Sequence, residues 1–325
     1  MSYLIGGAKG RNAKNWPIAA AMLPFRANTT SGISIQDADS EVWAATLAEV
    51  RHEGFTHIDL TDSWVRPGDL SVARLRELEG AVAGAGLHAE ALSAIRRSVI
   101  DPASGDENLA YSHRSIDAAA TLGCSVVSVG LHRPLSDSQR PALWFWTVAG
   151  PRDSVDKETW QLAVERLRDL GRHAASVGVE LSLEMYEDTL LGTADSAVRL
   201  VEEIDLSEVG LNPDLGNLFR LHRPIEPFLE ALEKCIPHSN YWHVKNYFRL
   251  EDASTGAIMS APAPMDSGAM NYRAAVKMAL AAGYTGPFCV EQYGGDGLAV
   301  MSGNRDYLRG LLEFNLSDDA SPEVI

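Results

Sequence analysis

Apolar residues fall along the chain in short runs, set apart by longer stretches in which they recur every three or four positions. The runs are "PIAAAML" (17–23), "HIDL" (57–60), "HAEALS" (88–93), "SVVSVGL" (125–131), "ELSLEM" (180–185), "VGLNPD" (209–214), "YWHVKN" (241–246) and "PFCVEQ" (287–292). Short, nearly continuous apolar runs suit strands buried on both faces. The stretches between them, such as "SEVWAATLAEVRHEG" (40–54), "LSVARLRELEGAVAGAG" (70–86), "KETWQLAVERLRDLGRHAASVG" (157–178) and "NYRAAVKMALAAG" (271–283), carry the spacing of amphipathic helices.

Several of these helical stretches end on a Gly, with the next apolar run one or two residues further on: "EGFTHIDL", "AGLHAEAL", "LGCSVVSV", "VGVELSLE" and "AGYTGPFCVE". Such a Gly stops a helix in a left-handed turn and hands the chain to a strand. Eight strands with helices between them predict a parallel sheet, closed most naturally as a single (β/α)8 TIM barrel. A doubly wound open sheet is the alternative, but the first strand–helix junction lacks the GxGxxG of a dinucleotide site. The barrel is expected over residues 1–316 as one catalytic domain, with 317–325 a mobile tail. Long loops are expected after strand four (132–158) and strand seven (247–270).

Composition narrows the partners. The net charge is −16 and no Lys/Arg cluster occurs, which argues against nucleic acid and against an anionic membrane surface. Three widely spaced cysteines, Cys124, Cys235 and Cys289, form no CxxC pair and read as buried free thiols of a reducing compartment. The N-terminal "MSYLIGGAKGRNAKNWP" has no long apolar segment of a secretory signal, and no run is long enough to span a bilayer. A cytoplasmic location is the expectation.

In a barrel, chemistry gathers at the C-terminal ends of the strands. Those ends offer Glu184 on strand five, Asp214 on strand six, His243 on strand seven and Glu291 on strand eight. Three carboxylates and an imidazole converging on one point would repel unless a cation sat among them. The set suits a hard-to-borderline divalent ion, Mn2+ foremost, with Mg2+ or Co2+ as alternatives. His132, at the end of strand four, is a candidate general base, and Asp59 and Asp62 flank the end of strand two.

The run "LSLEMYE … VGLNPDLGN … WHVKN … FCVEQ" resembles the xylose-isomerase-like superfamily, in particular its sugar phosphate isomerase/epimerase group. The resemblance covers about residues 16 to 315 and matches the metal-ligand motifs at Glu184, Asp214, His243 and Glu291. It implies that Glu184 and Glu291 are also the acid/base pair. It implies further that Arg249, six residues after the metal His, binds substrate, with Lys245 in the "HxKD" motif nearby. The chain departs from the ketose epimerases at Asn217, where they have a substrate-binding His, at Leu190, where they have a Glu, and at Asn246, where they have an Asp. Trp144, Phe145 and Trp146 stand in a row in the loop after strand four, and Trp146 is a candidate for stacking on substrate.

The implied activity is that of a divalent-metal enzyme acting on a sugar, cyclitol or keto-sugar derivative. Its shared step is proton abstraction α to a carbonyl, of the isomerase/epimerase type. The alternative is a lyase that cleaves 3-keto C-glycosides together with a small partner subunit, since the large subunit of bacterial C-glycoside deglycosidases is similar to this group. Either way the partner is a small-molecule sugar or glycoside, and a homo- or hetero-oligomer is expected. A nuclease of the endonuclease-IV kind is disfavoured, because it needs more strand-end His residues and a basic face.

Overall fold

Eight parallel strands form one sheet in the order β6 (Val209–Asn212), β5 (Glu180–Glu184), β4 (Val126–Gly130), β3 (His88–Ala94), β2 (His57–Thr61), β1 (Ile18–Ala21), β10 (Phe288–Val290), β7 (Trp242–Val244), each flanked in sequence by helices. The computed structural model describes residues 11–317. The strands coincide with the eight apolar runs. Almost every residue in them is buried, because helices cover the outer face and side chains fill the inner one.

The five Gly stops are all in the left-handed region, with φ of 85° at Gly54, 70° at Gly86, 74° at Gly123, 78° at Gly178 and 85° at Gly283. Each helix therefore ends where the sequence says it should. Helices α1 (Ser40–His52), α2 (Val72–Gly84) and α3 (Gly105–Thr121) belong to the outer ring. So do α4 (Lys157–Val177), α5 (Ala194–Ile204), α8 (Tyr272–Ala281) and α9 (Gly297–Asn315), while the shorter α6 (Gly216–Phe219) and α7 (Phe228–Cys235) follow β6. Ser71, Asp156, Thr193, Asn271 and Asp296 cap α2, α4, α5, α8 and α9 through their side chains. The three cysteines are buried free thiols.

The barrel closes by a different device between β6 and β7, where no regular ladder forms. Leu211 makes an isolated parallel bridge to Ser239, and the His243 N–H donates to the Asn212 side-chain oxygen at 2.7 Å. Asn240 adds a side-chain bond to the Leu181 carbonyl at 3.0 Å. The Asn212 side chain thus replaces a ladder hydrogen bond at this joint.

The segment expected as a long loop after strand seven is a hairpin instead. β8 (Asn246–Asp252) pairs antiparallel with β9 (Ala257–Ala263). Phe248, Leu250 and Met259 are exposed on it, so it carries no apolar run of the kind that marks the buried strands and reads as loop. Asn246 anchors its base. Its amide donates to the Met265 and Met270 carbonyls at 2.9 and 3.0 Å, and its oxygen accepts from the Tyr247 and Met270 N–H groups. An Asp could accept but not donate here, which explains Asn where the resembling family has Asp. The segment after strand four holds only a short turn of 3-10 helix at Phe145–Thr147. Among the described residues no helix is long and apolar enough to cross a membrane. Of the expected tail, residues 318–325 lie outside the described residues.

Candidate metal centre

The ends of β5, β6, β7 and β10 bring the four expected ligands together at the barrel mouth. Glu184, Asp214 and His243 each offer an atom within 4.8 Å of the others. Glu291 joins them through its Oε1, which lies 3.0 Å from Nδ1 of His243. That contact is out of hydrogen-bonding alignment, and Asp214 Oδ1 likewise has no partner. His243 Nδ1 and Asp214 Oδ1 are thus left, among the described residues, as donor atoms an ion could use. All four residues are buried.

The electrostatics show what the cluster lacks. Burial pushes the Asp214 carboxyl up to about 6, despite the Lys245 ammonium beside it. Burial would raise Glu184 as well, but the facing His132 prevails and holds it at about 2. Glu291 is also held below the usual carboxylate range, by Lys245 and His243 against the effect of burial. His243 and Lys245 are driven well above their ordinary values, against burial, by the carboxylates they touch. Three buried carboxylates therefore draw on one ammonium, Lys245, and on two imidazoles, His132 and His243, each of which must hold an extra proton to serve. The donor set fits a divalent ion, which would replace the proton on His243.

The next layer of side chains orients the ligands. On the far side of the His243 ring, Nε2 lies 3.3 Å from Asp59 Oδ2. Asp59 is fully buried and accepts 2.6 Å bonds from Ser93 and Tyr241 as well. This is the carboxylate–imidazole arrangement that fixes the tautomer of a metal-bound His. Asp62 does something else: its Oδ1 accepts the Ile95 N–H at 2.8 Å and shapes the end of β3. Asn217 donates to Glu184 Oε1 at 3.1 Å, Asp214 Oδ2 at 3.0 Å and the Met185 carbonyl, tying two ligands together. Lys245 spans Asp214 and Glu291 with its ammonium.

His132 is buried, with Nε2 3.5 Å from Glu184 Oε1 and its ring edge-on to Tyr186. Its ring lies where a Cβ on Gly130 would be, 2.4 Å away, so only Gly at 130 leaves room for it. Trp146 is buried over the mouth, stacked on Trp144 at 5.0 Å and edge-on to Phe145, Tyr247 and Tyr293. The aromatic row is thus a lid.

Arg249 is not brought to this cluster. Its guanidinium bonds to the backbone carbonyls of Phe219, Leu221 and Arg223 and to the Glu251 carboxylate. With its donors committed there, it fastens the hairpin to the segment after β6, and the expectation of a substrate contact is corrected. The arginine beneath the lid is Arg220, which sequence reasoning missed. It is fully buried, donates through Nη2 to both Glu187 oxygens at 3.0 and 3.1 Å, and lies against Phe145, Trp146, Tyr186 and Tyr293. Its Nε and Nη1, and the Trp146 Nε1, have no hydrogen-bond partner among the described residues. The only sequence signal was Glu187 beside the strand-five ligand, with no hint of its partner 33 residues on.

Comparison with known proteins bears on this arrangement. Residues 47–313 match the family described as the Xylose isomerase-like TIM barrel. A structure of a xylose isomerase-like TIM barrel protein from Mycobacterium smegmatis in complex with magnesium is 46% identical, with a TM-score of 0.91, covering 94% of this chain and 100% of that one. The 3-keto-D-glucoside 4-epimerase of E. coli shares the fold at 17% identity and a TM-score of 0.63, covering 91% and 99% of the two chains. An inosose dehydratase from Klebsiella pneumoniae (strain 342) is 27% identical over 131 residues, which are 39% of this chain and 40% of that enzyme. The chain thus matches well under half the length of that relative.

Proposed function

Since the chain belongs to the xylose isomerase-like TIM barrel family, we propose that it is a divalent-metal enzyme acting on a sugar, cyclitol or keto-sugar derivative. Its reaction begins with removal of a proton α to a carbonyl, as in an isomerase or epimerase. The observation that carries this reading is the buried cluster of Glu184, Asp214, His243 and Glu291, whose three carboxylates have only one permanent protein cation among them, Lys245. Glu184, Asp214, Glu291 and Nδ1 of His243 would hold the ion. Mn2+ suits this donor set best, with Mg2+ or Co2+ as alternatives, and the magnesium of the 46% identical relative is in keeping with it. Held there, the ion supplies Lewis acidity that polarises a substrate carbonyl.

The protein's own groups do the rest. Glu184 and Glu291 come from β5 and β10, which are not neighbours in the sheet. A substrate carbon between them meets a carboxylate on each face, so one removes a proton and the other returns it. His132 keeps Glu184 ionised, the form that can accept a proton. Asn217 and Lys245 hold the carboxylates in place. The aromatic lid excludes water from the exposed carbanionic stage. Arg220 and Trp146 offer unspent donors to substrate oxygens.

The test is proton exchange. Metal-loaded protein is incubated in D2O with a panel of neutral and acidic ketoses and keto-sugar derivatives, and deuterium at the carbon next to the carbonyl is followed by NMR. Exchange is expected in the wild type and lost in Glu184→Gln and Glu291→Gln. Absence of exchange across the panel sinks the reading. The stacked rings of Trp144 and Trp146 keep the C-glycoside lyase as the second reading, with a small partner subunit. Release of an aglycone from a 3-keto C-glycoside would select it. The buried thiols accord with a reducing cytoplasm.

A further inference from the structure

A cavity of 190 Å³ opens at the rim formed by the ends of β4 and β5, with Trp146 in its wall and its nearest lining residue in sequence, Tyr186, two positions after Glu184. Arg133 follows His132 at the end of one strand, and Tyr186, Glu187 and Asp188 follow Glu184 at the end of the other. Its walls also carry Arg96, Arg152, Arg223 and Asp153. Four arginines in one small cavity stand out in a chain of net charge −16.

The pairing of these charges leaves a cation over. Arg133 lies 3.0 Å from Asp153. Arg152 and Arg223 share a single carboxylate, Asp188, at 3.3 and 2.9 Å. Glu187 is committed to Arg220. Among the described residues Arg96 has no carboxylate within 4.0 Å. It donates instead to the Arg133 carbonyl at 3.1 Å and to the Tyr186 hydroxyl at 3.2 Å, and lies over the Phe145 ring at 4.8 Å. Arg133 also lies 3.9 Å from Asp101, so the four wall arginines with Arg220 give five positive charges against four carboxylates, an excess of one, left at Arg96.

Arg96 also sits at φ 57°, in the left-handed region that side-chain-bearing residues seldom adopt. A guanidinium held without a counter-charge, on a strained backbone, in a cavity lined by the residues that follow Glu184, is placed for a ligand. The volume is below the roughly 300 Å³ of a whole small-molecule site, so the cavity takes one terminal group.

We propose that this cavity is an anion subsite, in which Arg96 and the Arg152–Arg223 pair bind an acidic group, a carboxylate or a phosphate, at one end of the substrate. It deepens the reading of the metal centre and rests on it: the reacting carbon lies between Glu184 and Glu291 while the acidic end reaches over the β4–β5 rim.

Binding of D-glucuronate, D-glucose 6-phosphate and D-glucose to the full-length protein, by calorimetry with and without Mg2+, tests this. The acidic sugars should bind at least tenfold tighter than glucose, more weakly as salt rises, and Arg96→Gln and Arg223→Gln should each erase that preference while leaving Mg2+ affinity unchanged. The stronger of the two acidic ligands identifies carboxylate or phosphate. Equal binding of glucose, full acid binding in both variants, or acid binding that vanishes with the metal but not in the variants overturns the subsite. None of these outcomes depends on deuterium exchange, so failure here and failure of the sugar-chemistry reading are told apart.

Discussion

Asp59 and His243 face each other 3.3 Å apart in the barrel interior, Oδ2 to Nε2, on the side of the ring away from the carboxylates. The contact fixes Nδ1 as the nitrogen turned toward Asp214 and Glu291. In Asp59→Asn the amide can turn its NH2 toward the ring, and the preferred tautomer is lost. Affinity for Mn2+ should fall about 10- to 100-fold. Calorimetric titration of metal-free protein measures this, and unchanged affinity would remove Asp59 from the centre.

Arg220 and Glu187 form a buried ion pair, and its halves are unequal to solitude. Arg220→Ala leaves Glu187 buried without a counter-charge and should cost about 3–5 kcal/mol of stability. The double variant Arg220→Met, Glu187→Gln removes both charges and should recover most of that loss. Urea unfolding of the three proteins decides it; equal losses in single and double variants would refute the pairing argument.

Burial raises the Asp62 carboxyl from 3.8 to about 6, only partly offset by the Ile95 N–H and Arg97. The unfolded chain gives up this proton first. Between about pH 4 and pH 6 the folded state therefore holds more protons, and stability falls as pH rises through that window. Asp62→Asn keeps an oxygen for the Ile95 N–H and has nothing to ionise. It should be more stable than the wild type at pH 7 to 8, by on the order of 1–3 kcal/mol, and equal to it below pH 4. Thermal melts across the range give the answer.

Arg249→Ala separates the role suggested by resemblance from the one shown by contacts. Losing three backbone carbonyl partners should loosen the hairpin, so amide exchange over residues 246–263 should rise well above wild type. Metal affinity should stay the same. A rise in KM with no change in exchange would restore Arg249 to the substrate.

Much of this was written in local pattern. The runs from "PIAAAML" to "PFCVEQ" gave the strands because each is buried on both faces, and Gly54 or Gly178 ended helices because a left-handed turn tolerates little else. That Glu184, Asp214, His243 and Glu291 would come together was visible because each stands at the end of an apolar strand, and strand ends converge at one mouth of a barrel. The hairpin was not, since Phe248 and Leu250 lie on a face turned to solvent and form no apolar run of the kind that marks the buried strands. Nor was Arg220, whose partner Glu187 lies on another strand's end. Neither residue advertises burial, and only the closed barrel brings them together.

The joint between β6 and β7 has a mechanical consequence. A ring is weakest where its hoop is spliced, and here the splice is one isolated backbone bridge and the Asn212 side chain. Asp214 and His243 stand on its two banks. An ion gripped by both would act as a rivet, so that tightening around the metal and drawing the cylinder shut become a single event.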